Sequence, residues 1–198
     1  MAVRPAFAYL NGKIVRRDFA FEWHSGFAVS QKRKNIAALH KAIGQPALEI
    51  STKSESALGQ QLSAFHLTLD GYPLECVYQA GKVLRGGGPY PDLLRLPPRE
   101  AKRDPRLRET VIGFEYRGER WPLQPVTSFY DYLYILAAWD FRDQLDEYVW
   151  FTDIEFNPNR SLATQARSAA LLKAVREHPE AMESQKAFLA FHRQMIQA

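Results

Sequence analysis

Residues 62–82 read LSAFHLTLDGYPLECVYQAGK, and the order of elements in this stretch decides how the chain is built. A polar-aromatic turn, Ser63-Ala64-Phe65, leads into the alternating segment His66-Leu67-Thr68-Leu69, and Asp70-Gly71 then reverses the chain. Pro73 suits the start of a helix, and the residues behind it keep helical spacing. Glu75, Tyr78, Gln79 and Lys82 fall at i, i+3, i+4 and i+7, one face spanning roughly 10 Å of helix axis. Val77, Ala80 and Val83 make the other side apolar and anchor it. An acid, two hydrogen-bonding groups and a base on one face line a pocket wall better than they build a core. Spacing alone leaves a solvated face open as the alternative.

Outward from this stretch, Asn11-Gly12 sits between residues 6–10 and 14–21 as a strong hairpin signal, although the alternation of Val15, Asp18, Ala20 and Glu22 is rough. Residues 31–43 read as a helix with Ile36, Leu39, His40 and Ile43 on one face and Gly44 as its C-cap. Leu48-Glu49-Ile50-Ser51 reads as a short strand, and residues 84–95 are turn-rich. Val111–Tyr116 and Glu119–Trp121 read as strands around Arg117-Gly118, and helical runs cover 128–140, 161–177 and 179–196. No linker or repeat divides the chain. The expectation is a single α+β domain over residues 1–198, helix outweighing strand, with residues 1–46 as an N-terminal extension to a core at 47–198.

With 198 residues, 46% hydrophobic and 24% charged, the chain is long enough for one well-packed domain and too short for two ordinary ones. No apolar run approaches the roughly 20 residues of a membrane helix, and the N-terminus lacks a secretory h-region. The single cysteine, Cys76, forms no internal disulfide, reads as a small buried hydrophobe, and fits a reducing cytoplasm. The net charge of +4 is unevenly spread. Residues 1–45 carry eight Lys/Arg against two acids and residues 95–108 six against two, whereas residues 128–157 carry seven acids against Arg142 alone. A basic face opposite an acidic lobe suits a polyanionic ligand; an ordinary solvated surface is the plainer reading.

Two further clusters carry chemistry. Trp150-Phe151-Thr152-Asp153-Ile154-Glu155-Phe156-Asn157 sets two carboxylates among three aromatics ahead of a helix, and desolvation there raises a carboxyl toward acid–base use. Asn157 and Asn159 are also candidate helix caps. Ser51-Thr52-Lys53-Ser54, with Ser56, is a hydroxyl-rich turn able to offer hydroxyls, N–H groups and a cation to phosphates, without the glycines of a Walker loop. Gly86-Gly87-Gly88 is a flexible turn or a place for close backbone approach. The five histidines are scattered, with no metal-ligand spacing, and no G-x-S-x-G elbow or dinucleotide fingerprint occurs.

The turn-strand-helix order resembles the NADAR family, in which an S-N-F turn precedes a V-E-x-x-[FY]-Q-x-x-K helix. Ser63-Ala64-Phe65 matches the turn with Ala64 in place of asparagine, and Glu75, Tyr78, Gln79 and Lys82 match the helix. Ala101-Lys102-Arg103 resembles the family's A-[KR]-R segment. Trp150 to Asp153 is similar to its W-G-D-G element, shifted by one residue and without the glycines. Residues 21–42, FEWHSGFAVSQKRKNIAALHKA, running on into LEISTKS, resemble the subgroup of NADAR antitoxins paired with DarT DNA ADP-ribosyltransferase toxins. Members of that subgroup resemble glycohydrolases that remove ADP-ribose from guanine bases in DNA.

The resemblance implies Glu75 and Lys82 as catalytic residues with Asp153 as partner acid. It implies an ADP-ribose and guanine site from Ser51, Thr52, Lys53, Ser54, Ser63, Phe65, Tyr78, Gln79, Trp150, Phe151 and Asn157. Among these, Trp150, Phe151 or Tyr78 would stack on the base, and Lys53 with the Ser/Thr turn would hold the pyrophosphate. Lys32, Arg33, Lys34, Lys102 and Arg103 would contact DNA. No cofactor and no metal are implied. The implied partners are ADP-ribosylated DNA, the ADP-ribose product and a DarT-type toxin. Two alternatives stand beside this reading: an N-glycosidase acting on a phosphorylated riboflavin-pathway intermediate, and a non-catalytic module that binds ADP-ribose or the toxin.

Overall fold

The computed structural model describes residues 1–157 and 164–196. It opens with the hairpin of β1 (Ala2–Leu10) and β2 (Lys13–Phe21), whose register closes at Leu10 opposite Lys13. Asn11 and Gly12 take φ of 51° and 75°, the left-handed pair that a two-residue turn demands. Helix α1 (Val29–Ile43) follows, and its last turn closes on Gly44, left-handed at φ 67°, whose N–H donates to the His40 carbonyl. Then come β3 (Ala47–Glu49) and α2 (Ala57–Gln61), the latter capped by the Ser56 hydroxyl. The hairpin of β4 (Thr68–Leu69) and β5 (Tyr72–Pro73) turns at Asp70-Gly71 and feeds α3 (Leu74–Ala80). After β6 (Lys82–Leu84) and α4 (Pro98–Ala101), strands β7 (Val111–Tyr116) and β8 (Glu119–Trp121) complete a small sheet in the order β6-β7-β8. The chain ends with α5 (Ser128–Ala138), β9 (Trp150–Thr152), α6 (Gln165–Glu177) and α7 (Gln185–Met195).

The main sheet runs β2-β1-β9-β3, with β3 parallel to β9 and the other pairings antiparallel. Successive side chains alternate between its faces. Ala6, Ala8 and Trp150 pack with Ile36, Leu39 and Ile43 of α1. Phe7, Leu48 and Phe151 belong to the larger core with α5, α6 and α7. The molecule is therefore a three-layer α+β domain. Each fully buried leucine, such as Leu39 or Leu133, contributes about 1.5–3 kcal/mol over an exposed one. No helix among the described residues is long and apolar enough to cross a membrane.

Three helical boundaries differ from the sequence expectation. Helix α5 stops at Ala138 and continues as a 3-10 segment, Trp139–Glu147. The run 179–196 divides into a 3-10 turn, Pro179–Met182, and α7, because Ser184 caps α7 by accepting the Ala187 N–H at 3.1 Å. The third is α3, which ends at Ala80. The candidate cap Asn159 and the first residues of the expected helix 161–177 lie outside the described residues.

Candidate active site

The parallel strands β3 and β9 end at the same level, and the chain leaving each one forms the floor of a cavity of about 1030 Å³. Ser51 and Thr52 follow β3; Asp153, Glu155 and Asn157 follow β9. Such a crevice beyond the carboxyl ends of parallel strands is where open sheets bind ligands. The wall is made by the Ser63-Ala64-Phe65 turn, α3, Lys82 of β6 and Lys102 behind α4. Opposite stand Phe114, the 122–127 loop, Phe129 and Tyr130 of α5, and Gln165 at the start of α6.

Glu75, Tyr78 and Gln79 share the face of α3 that the spacing predicted. Glu75 is only 5% exposed, and its Oε1 accepts a hydrogen bond from Gln79 Nε2 at 2.8 Å and lies 3.7 Å from Lys102 Nζ. Gln79 Oε1 is buried in the cavity wall without a hydrogen-bond partner among the described residues, an acceptor positioned for a donor on a ligand. Tyr78 lies 5.9 Å from Phe114 in a stacked pair, and burial, then Glu75 and Asp131, push its phenol up to about 12.

Lys82 is not on this helix. A Cβ at Gly81 would stand 2.8 Å from the Glu115 carbonyl and 3.0 Å from Phe129, so only glycine lets β7 approach there. Glu115 N–H then donates to the Gly81 carbonyl at 2.7 Å, and the chain turns from helix into β6, with Lys82 opposite Phe114. Lys82 nevertheless reaches the same cavity, its ammonium 5.1 Å over the Tyr78 ring. Burial lowers its amine pKa; Glu75 opposes that shift and Lys102 adds to it.

Asp153 is 8% exposed and its neighbour across the strands, Glu49, 2%. Burial first, and then the charge of Glu49, raise Asp153 to about 7, against hydrogen bonds from Gln165 Nε2 at 3.2 Å and the Glu155 N–H at 3.1 Å. Burial likewise raises Glu49. Gln165 also ties the floor together. Its Oε1 accepts the Ala64 N–H at 2.6 Å and its Nε2 donates to the Ile50 carbonyl at 3.2 Å.

The cavity thus brings together Ser51, Thr52, Ser63, Phe65, Glu75, Tyr78, Gln79, Lys82, Lys102, Asp153 and Asn157. It does not include Trp150 or Phe151. Strand β9 is internal to a sheet covered on both faces, so both rings are core side chains, Trp150 donating to Gln45 Oε1 at 2.7 Å. Ser54 is held against α2, where a Cβ on Gly59 would fall 2.4 Å from its hydroxyl, and Lys53 directs its amine to the Thr52 hydroxyl at 3.1 Å. Neither lines the cavity, nor do Lys32, Arg33 and Lys34 of α1 or Arg103. Sequence reasoning missed Gln165, Tyr130, Phe114, Phe129 and Glu49. Of these only Glu49 had a local signal, an acid inside the apolar strand Leu48-Glu49-Ile50.

No curated protein matches the chain. The model of the DarT1-associated NADAR antitoxins matches it over residues 2–198, and the chain belongs to that family.

Proposed function

We propose that this antitoxin-family protein is an N-glycosidic hydrolase that removes ADP-ribose from guanine bases in DNA and so reverses the modification made by a DarT-type toxin. The observation that carries the reading is the convergence of a depressed lysine, Lys82, and two buried acids, Glu75 and Asp153, from three separate elements on one cavity. The volume of about 1030 Å³ is at the upper end for ligand sites and has room for a nucleoside-diphosphate sugar with its attached base. Ser51 and Thr52 offer hydroxyls to the pyrophosphate, Tyr78 a ring to the base, and Gln79 Oε1 an acceptor to a base N–H or ribose hydroxyl.

A base joined through its exocyclic nitrogen to C1″ of ribose is cleaved by ring opening. The Lys82 amine adds to C1″, the base leaves with its nitrogen, and water hydrolyses the resulting imine to free ADP-ribose. A lowered amine pKa enlarges the share of unprotonated nucleophile. Glu75, beside Gln79 and Lys102, is the group that moves protons on and off the ring oxygen.

A DNA substrate is supported by the end of the sheet at which the cavity lies. Strand β1 runs antiparallel to β9, so its N-terminal end, the C-terminal end of β2 and the start of α1 share that end. Arg4 and Lys32 hold their charges 5.2 and 5.9 Å from the Trp23 ring there, and Phe27 is 99% exposed. Cations with exposed aromatics suit a single strand. The test is release of ADP-ribose from a guanine-modified oligonucleotide, with Lys82→Ala lowering the single-turnover rate at least a thousandfold. Release only from a small phosphorylated N-glycoside, or tight binding without release, would overturn the reading.

A further inference from the structure

A line of polar side chains crosses the sheet beneath the cavity floor. His40 of α1 places Nε2 3.0 Å from the Thr152 hydroxyl. The Thr152 hydroxyl donates to Glu49 Oε2 at 2.6 Å, and the Ile154 N–H donates to Glu49 Oε1 at 2.9 Å. Glu49 and Thr152 are register partners on β3 and β9, so the parallel pairing fixes this geometry. Asp153 stands between the two residues that grip Glu49, and it alone of the group opens on the cavity.

Both oxygens of Glu49 are met by donors, and burial holds His40 down to about 4, hence neutral. With the Thr152 proton committed to Glu49, His40 Nε2 carries the hydrogen that Thr152 accepts. Among the described residues no Lys or Arg forms an ion pair with Glu49 or Asp153. Among the described residues, the groups facing Asp153 are Glu49 from β3, Glu155 from its own loop, Tyr130 and Tyr134 from α5, and Gln165 from α6. None brings a positive charge. Two carboxyl groups buried without a cation cannot both ionise at little cost, and the one with the better donors holds the charge.

We propose that Glu49 is a positioning residue which, fixed as the carboxylate by Thr152 and the Ile154 N–H, keeps Asp153 protonated so that Asp153 serves as the proton donor to the leaving base. The inference rests on the glycohydrolase reading above. When the C1″–N bond breaks, its electron pair leaves with the base nitrogen, which takes the Asp153 proton. The Lys82 iminium remains. Water adds to it, one proton returns to the Asp153 carboxylate, and the aldehyde and the free Lys82 amine are released.

The experiment is a single-turnover pH profile of wild type and Glu49→Gln, joined to an infrared titration of the protonated Asp153 carbonyl in the ligand-free protein. In wild type the rate should fall above about pH 7 and the carbonyl band should titrate with it, absent from Asp153→Asn. In Glu49→Gln both should move down by about one pH unit, a roughly tenfold rate loss at pH 8 and little at pH 5.5. A loss uniform across pH with an unmoved band would make Glu49 merely structural and overturn the proposal. Should Glu49→Gln not fold, Thr152→Val removes the hydroxyl donor that holds the charge on Glu49, and should likewise move both down; no movement, or a movement up, would again overturn it. If wild type releases no ADP-ribose at all, the glycohydrolase reading fails, while the infrared band still decides the part assigned to Glu49.

Discussion

Two buried acidic clusters lie in this molecule, and they behave in opposite ways. Asp131 of α5 is fully buried, and it accepts hydrogen bonds from Ser168 at 2.6 Å, His192 at 2.8 Å, Thr127 at 2.9 Å and Arg167 at 3.1 Å. Burial alone would raise its pKa, but the Arg167 charge, His192 and Ser168 together hold it below the ordinary carboxyl value. Asp153 is almost as deeply buried and, among the described residues, meets only neutral donors and the acids Glu49 and Glu155, so it is pushed up to about 7. Equal burial with a cation makes a strut; without one it makes an acid. The strut has a task at the site too. Thr127, left-handed at φ 70°, ends the cavity's 122–127 loop and is tied by its hydroxyl to Asp131.

The largest expected effect is on stability. Asp131→Ala removes the buried carboxylate that Arg167, His192, Ser168 and Thr127 share, and should cost about 3–5 kcal/mol in urea unfolding. Asp153→Asn removes an acid that burial already keeps protonated, and should cost no more than about 1 kcal/mol. Comparable losses for the two would break the contrast.

A smaller effect is the pH slope. The folded pKa of Asp153 is raised, so between the ordinary carboxyl range and about 7 the native state keeps a proton the unfolded chain has lost. Stability from this site is therefore full at low pH and declines as pH rises through that window, by at most about 1.4 kcal/mol per unit. The folded pKa of Asp131 is depressed, so its stability is present above the ordinary carboxyl value and lost as pH falls. Unfolding free energies of wild type and Asp153→Asn across pH 4–7 should show the falling slope in wild type only; parallel curves would contradict it.

Much of the frame was legible because local rules decide it. Asn11-Gly12 dictates the first hairpin, Gly44 the end of α1, and the spacing of Glu75, Tyr78 and Gln79 their shared face. What the sequence hid lies in non-local contact. Lys82 kept helical spacing on paper, and only the approach of Glu115 and Phe129 to Gly81 shows why the helix must stop. Trp150 and Phe151 resembled ligand-stacking rings until the strands on either side of β9 were placed. His40, Thr152 and Glu49 come from three elements, and Asp131 meets His192 across 61 residues, separations no local pattern encodes.

The central claim, that Lys82 attacks C1″ of an ADP-ribosyl base, is tested most directly by adding borohydride during turnover of guanine-modified DNA and mapping the adduct by mass. The account predicts a reduced ADP-ribosyl adduct on Lys82 in wild type, no adduct in Lys82→Ala, and no activity in Lys82→Arg, whose guanidinium stays protonated. No adduct in wild type, or one on Lys53, together with an active Lys82→Arg, would contradict it.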